Sequence, residues 1–338
     1  MRKSVLLGFS GGIDSCTSAE RLTRDGYRVV ALTIDTIGDE QMMMQAREKA
    51  EALGVEWVAY DARERFERDI IDYFTSEYAA GRTPAPCTRC NRLIKWRLLL
   101  DVANTMGIDY IATGHYINIV ERDNRYYVAK GVDPDKDQSY YLWGLDQTTL
   151  SRALTPMGDA IKSDVKRSYV NKSESMGVCF LAGLPYAEYL AKRNIAMTAG
   201  DVTTSDGVVC GQHNGIARYT IGQRRGEGIP AGMRVVGIDA DHNRIIVGPN
   251  DMLYYHRLKV AEYNIVSHEE LLTANDITIK IRGIGRNPSL PVQIEMCDAE
   301  DALFVTTPDA AWAPAVGQPL VFYRNNLVVG GGIVVDFD

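Results

Sequence analysis

Two alternating rhythms of apolar positions run through the first third of the chain. Val5-Leu6-Leu7-Gly8-Phe9 is a short continuous apolar run, and Tyr27 to Ile34 and Val55 to Tyr60 are β-branched and apolar, so each reads as a buried strand. Between them the period lengthens to that of a helix. Cys16 to Arg24 follows the first run, and Met43, Ala46, Ala50 and Leu53 share one face of a segment closed by Gly54. Phe66, Ile70, Phe74 and Tyr78 recur at every fourth position, which makes Arg63 to Tyr78 an amphipathic helix with its aromatics in the core. A helix from Arg92 to Met106 and a strand from Tyr110 to Thr113 continue the alternation. Such a series predicts an α/β fold, a parallel sheet with helices on both faces. Gly81 to Asn91 interrupts it, because Pro84 and Pro86 remove donors and fix φ; the stretch reads as a loop carrying Cys87 and Cys90.

Further along, Ile117 to Val128 reads as a hairpin turning at Arg122-Asp123-Asn124, followed by a polar turn at Asp133 to Gln138 and the aromatic segment Ser139 to Leu142. A short loop and helix occupy Pro156 to Val170. After about residue 200, short Gly-punctuated alternating stretches replace the helical period: Val208 to Cys210, Arg234 to Ile238, Ile245 to Val247, Thr278 to Arg282, Val292 to Met296, Leu303 to Thr306, Leu320 to Tyr323 and Gly332 to Val335. These predict all-β modules. The expected units are 1–199, 200–263 and 264–338.

Composition narrows the class. The 338 residues, 46% hydrophobic and 24% charged, suit an ordinary globular chain of two or three domains. No apolar run approaches the roughly 18 residues of a membrane helix, and the run after Met1-Arg2-Lys3 is too short for a signal peptide. The expectation is a cytoplasmic protein with no membrane partner, in which six cysteines stay reduced. A net charge of −7 speaks against a general nucleic-acid binder, but the acidic excess lies in 200–338. Two acid-free windows stand out. Ala79 to Leu100 carries Arg82, Arg89, Arg92, Lys95 and Arg97, and Gly207 to Gly226 carries Arg218, Arg224 and Arg225; both are candidate phosphate-contacting surfaces.

The chemistry begins at Ser10-Gly11-Gly12-Ile13-Asp14-Ser15, between the first strand and the first helix. Glycines admit a close ligand, Ser10 and Ser15 add hydroxyl donors, and a helix N-terminus presents unpaired amides, which together make an anion cradle. No Lys follows as in a Walker loop, and the glycine spacing is not that of dinucleotide folds. The stretch matches the SGGxDS pyrophosphate loop of ATP-pyrophosphatases. Cys87 and Cys90 form a CxxC pair, which by itself serves zinc, redox or iron–sulfur chemistry; a zinc site needs two more soft ligands, and no second CxxC or close His pair exists. Arg89, Arg92 and a helix N-terminus near Arg92 are expected to lower a thiol pKa, which makes Cys90 a candidate nucleophile. Cys179 lies beside Phe180 and reads by itself as a buried core residue, as do Cys16, Cys210 and Cys297.

Taken in order, the loop, TPAPCTRCN, ATGHY, KDQSYYLWGL, ESMGVCF, Gly211 to Gly215 with Tyr219 to Arg224, and GQPLVFY with Gly330 to Gly332 resemble the bacterial tRNA-specific 2-thiouridylases over nearly the whole chain. That resemblance implies a PP-loop catalytic domain, a small mostly β central domain and a C-terminal β-barrel. It implies an enzyme that adenylates the C2 oxygen of the wobble uridine and replaces it with sulfur from a protein persulfide. ATP would be held by Gly8, Phe9, Ser10, Gly11, Gly12, Ile13, Asp14, Ser15, Ile34 and Gly114, with Mg²⁺ at Asp14. Ala85, Pro86 and Cys87 would face the target base, and His115, Lys136, Asp137, Gln138, Arg282 and Gln318 would touch tRNA. Cys90 matches the nucleophile and Cys179 the persulfide carrier, charged by a cysteine desulfurase or a relay protein. Many members carry an acidic residue in place of Cys87, so Cys87, Cys90 and Cys179 form a candidate [4Fe–4S] ligand set, as in related thiolases. The stretches after Ile34 and between Lys162 and Lys172 are shorter than in most members. An amide-forming ATP-pyrophosphatase, which needs no paired thiols, and a tRNA-binding paralogue without activity are the alternatives.

Overall fold

A computed structural model describes residues 2–167, 177–282 and 286–338. Strands β1 (Ser4–Gly8), β2 (Arg28–Asp35), β3 (Glu56–Asp61) and β4 (Tyr110–Ala112) are the apolar runs expected from the sequence. Hairpin strands β5 (Ile117–Arg122) and β6 (Arg125–Lys130) follow, then the two-residue β7 (Ala153–Leu154). Five of these make a wholly parallel sheet in the order β3-β2-β1-β4-β7. Val5, Leu6, Leu7, Val30, Ala31 and Leu32 are buried, as strands covered on both faces must be. The order reverses between β1 and β4, and the crevice beyond the carboxyl ends of those two strands is where ligands bind in open α/β sheets.

Helix α1 (Ile13–Arg24) crosses from β1 to β2, and α2 (Glu40–Ala52) from β2 to β3. Asp39 caps α2 by accepting the Met42 amide. Two longer helices each contain a wide turn with i→i+5 bonding: α3 (63–79) over Glu67–Ile71, and α4 (86–106) over Asn91–Lys95. Helix α4 starts at Pro86, within the stretch expected to be an irregular loop. Pro86 occupies the first turn, where the missing N–H would have had no intrahelical partner, so proline starts this helix instead of excluding it. Short helices at Lys162–Arg167 (α5) and Tyr186–Lys192 (α6) complete this part.

The all-β modules are two sheets. Strands β8 (Ala199–Thr204), β9 (Val209–Asn214), β10 (Arg234–Asp239) and β11 (Arg244–Gly248) form a small mixed sheet in the order β10-β11-β8-β9. Strands β12 (Tyr254–Ile265), β13 (Ile277–Lys280), β14 (Gln293–Cys297), β15 (Ala302–Trp312), β16 (Pro319–Arg324) and β17 (Leu327–Phe337) form an antiparallel sheet in the order β13-β16-β17-β12-β15-β14. The N-terminal hairpin joins it: β6 pairs with β17 through Ala129 with Leu327 and Val128 with Val328. One apolar cluster accordingly holds Leu6, Trp96 and Leu99 together with Val321, Tyr323 and Val328. Among the described residues no helix is long and apolar enough to cross a membrane.

Candidate active site

The Ser10 to Ser15 loop lies at the switch point of the parallel sheet. Gly11 has φ +67°, and a Cβ there would stand 3.0 Å from the Cα of Ala46, so glycine lets α2 close over the loop. The Gly12 amide donates to Ser10 Oγ at 3.3 Å, the Ser15 hydroxyl to the Gly12 carbonyl at 3.0 Å, and the two serine hydroxyls are 3.5 Å apart. No side chain caps α1, whose first amides therefore face the loop. Lys49 reaches across from α2 to the Gly11 carbonyl at 2.5 Å. Gly114, past the end of β4, is pressed against the start of α1; a Cβ there would lie 3.2 Å from the Ser15 nitrogen. Phe9 and Ile13 are buried behind the loop, and Gly8 and Ile34 end β1 and the apolar part of β2.

Asp14 has partners that the sequence did not reveal. Lys162 Nζ donates to both of its carboxylate oxygens at 2.6 and 2.7 Å, and the Tyr116 hydroxyl donates to one of them at 2.8 Å. Lys162 is itself buried, its backbone amide held by Asp133 at 2.9 Å. A phosphate cradle thus has two ammonium groups at its edge, Lys49 and Lys162. In this structure the Asp14 carboxylate is held by Lys162 and Tyr116. Both lysines lie far from the loop in sequence, and the near-complete burial of Lys162 is not visible in one sequence.

The thiols come together along α4 and the turn Cys179–Leu181. Cys90 is buried at 6% exposure, Cys87 half-buried, and Cys179 exposed, which corrects the reading of Cys179 as a core residue; Cys210 is also exposed and Cys297 half-buried, whereas Cys16 is in the core. Phe180 packs edge-on against Phe66 and Phe74 at 5.9 and 5.1 Å, in the same apolar cluster as Cys90, and so anchors Cys179 beside α4. The three sulfurs are within electrostatic reach of one another. Among the described residues no group of three His, Cys, Asp or Glu side chains is arranged to hold a metal ion.

The electrostatics differ from expectation. Burial pushes the Cys87 thiol up and the Cys90 thiol up to about 11, opposed by Lys95, not by Arg89 or Arg92. The arginines face elsewhere. Arg89 sits over the Tyr73 ring at 4.3 Å and donates to the Asp69 carbonyl, and with Arg92 it lines a cavity of about 20 Å³ shared with Trp143 and Glu262. Because α4 begins at Pro86, Cys90 lies at the end of its first stretch and has no share in the N-terminal amides. The wide turn Asn91–Lys95 carries i→i+5 bonding, which brings Lys95 round to the side of Cys90. The three sulfurs hold the Lys95 pKa above its ordinary value although burial opposes them. The same lysine and burial hold His115 down to about 3; its ring stacks on Trp96 at 6.1 Å, and its Nδ1 lies 2.7 Å from Thr113 Oγ1.

The remaining candidates divide by position. Ala85 and Pro86 open α4 beside Cys87. Asp137 accepts from the Gly131 and Ser139 amides and Gln138 from the Tyr116 amide, so both side chains fix the turn next to Lys136. Gln318 donates to the Thr83 carbonyl at 3.3 Å, tying the C-terminal sheet to the stretch before α4. Arg282 lies farther out, donating to the Ala313 carbonyl. The segment 168–176, which holds most of the shortened stretch before Lys172 and the start of ESMGVCF, is outside the described residues. Three of the buried polar atoms without a partner, Asn91 Oδ1, Trp96 Nε1 and Trp143 Nε1, belong to α4 or to the segment packed on it. Buried orphans of this kind mark places where a ligand or water completes the bonding.

A parallel sheet with SGGxDS at its switch point and a thiol helix packed against it defines an ATP-pyrophosphatase-like enzyme fold that carries sulfur chemistry. Family models described as tRNA methyl transferase HUP domain, tRNA methyl transferase PRC-barrel domain and Aminomethyltransferase beta-barrel domain match residues 3–183, 187–249 and 255–334. A tRNA-specific 2-thiouridylase of Bacteroides fragilis is 38% identical over 99% of this chain and 98% of its own length. Relatives of the same name from Phocaeicola vulgatus, 37% identical over 98% and 97%, and Clostridium tetani, 35% identical over 99% of both, are similar along the whole chain. The chain belongs to the tRNA-specific 2-thiouridylase family.

Proposed function

We propose that this chain is an ATP-dependent tRNA sulfurtransferase that makes 2-thiouridine. The observation that carries the reading is the pairing of the Ser10 to Ser15 cradle with a sulfur centre in which one thiol is exposed and one buried. Uridine oxygen is a poor leaving group. ATP, bound with Mg²⁺, supplies AMP to that oxygen and releases pyrophosphate, which the α1 amides, Ser10, Ser15, Lys49 and Lys162 are placed to hold. A methyl transfer, the reaction in the description of two matched family models, would need neither the cradle nor the thiols.

The exposed Cys179 can be charged by an external persulfide donor, a desulfurase or relay, and its outer sulfur then bonds to the activated carbon as AMP leaves with the bonding pair. Cys90 next attacks Cys179 Sγ. The sulfur–sulfur bond to the base breaks, its electron pair becomes the thiocarbonyl, and Cys90 and Cys179 end as a disulfide that an external thiol must reduce. The Cys90 proton is the obstacle at neutral pH, and Lys95 is the cation that eases its loss. Ala85, Pro86 and Cys87 are the surface for the target base, and Lys136, Asp137 and Gln138 the turn beside it.

The test is incubation of unmodified tRNA with ATP, Mg²⁺ and a persulfide donor, read by nucleoside mass spectrometry. The wild type yields 2-thiouridine, and Cys179→Ser yields none while still releasing pyrophosphate. No thiolation by the wild type would refute the assignment; unimpaired thiolation by Cys179→Ser would refute the role of that cysteine.

A further inference from the structure

The reaction proposed above leaves one thiol of the sulfur centre without a step. Cys179 carries sulfur and Cys90 resolves it, whereas Cys87, three residues before Cys90 on α4, has a sulfur that interacts with those of both. Residues three apart share a helix face, so Cys87 borders Cys90 along the helix, while Phe180 pins the turn carrying Cys179 into the apolar cluster of Cys90. Exposure is graded across the set: Cys179 is open to solvent, Cys87 is half-buried, and Cys90 is buried at 6%. Lys95 interacts with all three sulfurs, so a negative charge that passes between them stays near one cation.

The place of the pair within α4 suits a disulfide. Cβ atoms three residues apart on a helix are separated by about 5–6 Å, and a disulfide needs about 3.8 Å, so closing the bond takes a local tightening of one turn. Cys87 follows Pro86 in the first turn, where the backbone amides have no intrahelical partner to lose, and the wide turn Asn91–Lys95 begins directly after Cys90. The helix is therefore least regular on both sides of the pair.

Which sulfur is attacked decides what becomes of the product disulfide. In a Cys90–Cys179 disulfide the exposed sulfur is that of Cys179, so an external thiol bonds to the carrier and caps it. Attack by the Cys87 thiolate on Cys90 Sγ has another outcome. The Cys87–Cys90 bond forms, the Cys90–Cys179 bond breaks, and its electron pair leaves on Cys179, which takes up a proton. The exchange involves no net oxidation or reduction. An external dithiol then returns two electrons to the Cys87–Cys90 pair, away from the carrier.

We propose that Cys87 is a third catalytic cysteine, which takes over the disulfide from Cys179 at the end of each cycle and so frees the carrier for the next persulfide. This rests on the sulfurtransferase reading above and extends it past sulfur release. It also gives the CxxC spacing a use: the nucleophile and the thiol that relieves it sit on one turn of one helix.

The test uses the full chain, purified without oxygen, reduced and freed of thiol. Protein charged once by a persulfide donor and separated from it is given unmodified tRNA, ATP and Mg²⁺. Free thiols are then capped with N-ethylmaleimide, and peptides are mapped without reduction. Trypsin cuts after Arg89, between the two cysteines of α4, so the linkage is read directly. In the wild type the disulfide is expected to join Cys87 to Cys90, with Cys179 capped. In Cys87→Ser it should join Cys90 to Cys179, and capping of Cys179 should fall by about tenfold or more. Mild oxidation of tRNA-free wild type with diamide should give the same Cys87–Cys90 linkage without any turnover. A wild type whose turnover leaves Cys90 joined to Cys179 would overturn the proposal. So would an iron–sulfur absorbance in the purified wild type that Cys87→Ser abolishes, since a thiolate bound to iron is not free to attack. Wild-type protein that makes no 2-thiouridine would instead refute the functional reading, and the diamide linkage then reports on the thiol exchange alone.

Discussion

Lys95 is the residue through which the charges of the sulfur centre are coupled. It opposes the burial that raises Cys90, it is itself raised by the three sulfurs, and it helps keep His115 neutral. Removing the cation raises the thiol pKa further, because a thiolate that gains nothing from a neighbour pays only for burial. In wild-type protein the rate of Cys90 alkylation should climb with pH toward about 11, and Cys179, exposed, should react first. Lys95→Met should slow Cys90 alkylation at pH 8 several-fold and leave the reaction of Cys210, on the small β sheet, unchanged. Peptide mass mapping of timed iodoacetamide reactions measures both; equal Cys90 rates in the two proteins would remove Lys95 from this role. His115 gives a second signature at the same scale. Its folded pKa of about 3 lies below the unfolded value near 6.5, so the unfolded chain binds the proton first and stability falls as pH drops below about 6.5. The fall is at most about 1.4 kcal/mol per pH unit from this one group, and His115→Asn should make the decline in melting temperature between pH 6.5 and 5 shallower.

At the scale of elements, the site is made by close approaches between secondary structures. Gly114 is the clearest case: β4 ends against the first turn of α1, where a Cβ would come within 3.2 Å of Asp14 and of the Ser15 nitrogen. Gly114→Ala should push the loop off its anion-binding geometry and weaken ATP binding at least tenfold, measured by calorimetry, with a change in melting temperature of only a few degrees. Unaltered affinity would show that the loop does not depend on this contact. The strands and helices of the sheet were legible because β1 and β2 are unbroken apolar runs and Phe66, Ile70, Phe74 and Tyr78 keep a strict helical period. The start of α4 was not, because Pro84 and Pro86 carry the same signal in a loop as at a helix N-terminus; only the continuation through the wide turn Asn91–Lys95 distinguishes them. Strand β12, the longest in the C-terminal sheet, also escaped, since its charged residues Arg257, Lys259 and Glu262 obscure the alternation of Leu258 and Val260. The loop and the cysteines were found by motif. Lys162 and Tyr116 were missed because their link to Asp14 joins positions more than 100 residues apart.

The whole molecule explains why the loop, the thiols and the C-terminal sheet behave as one device. The sheet does not hang from the catalytic part by a linker: β17 pairs with β6, the Tyr140 hydroxyl donates to the Pro319 carbonyl at 2.9 Å, and the Thr83 amide donates to the Val316 carbonyl at 2.8 Å. Val321, Tyr323 and Val328 are buried in the cluster that also holds Leu6, Trp96 and Leu99. Deleting 264–338 would therefore strip apolar cover from Val128, Tyr140 and Leu142 and leave the β6 edge unpaired, a surface prone to association. Separate domains joined by polar interfaces unfold in separate steps, whereas a shared core couples them. Calorimetry of the full chain should show the parallel sheet and the C-terminal sheet melting in one transition, and Tyr323→Ala, which opens a cavity where the two meet, should lower that transition as a whole, by about 3 kcal/mol. Two resolved transitions, with only the later or only the earlier moved by the substitution, would mean that the strand pairing and the common core do not bind the units together, and that the thiol helix and the C-terminal sheet are free to move apart.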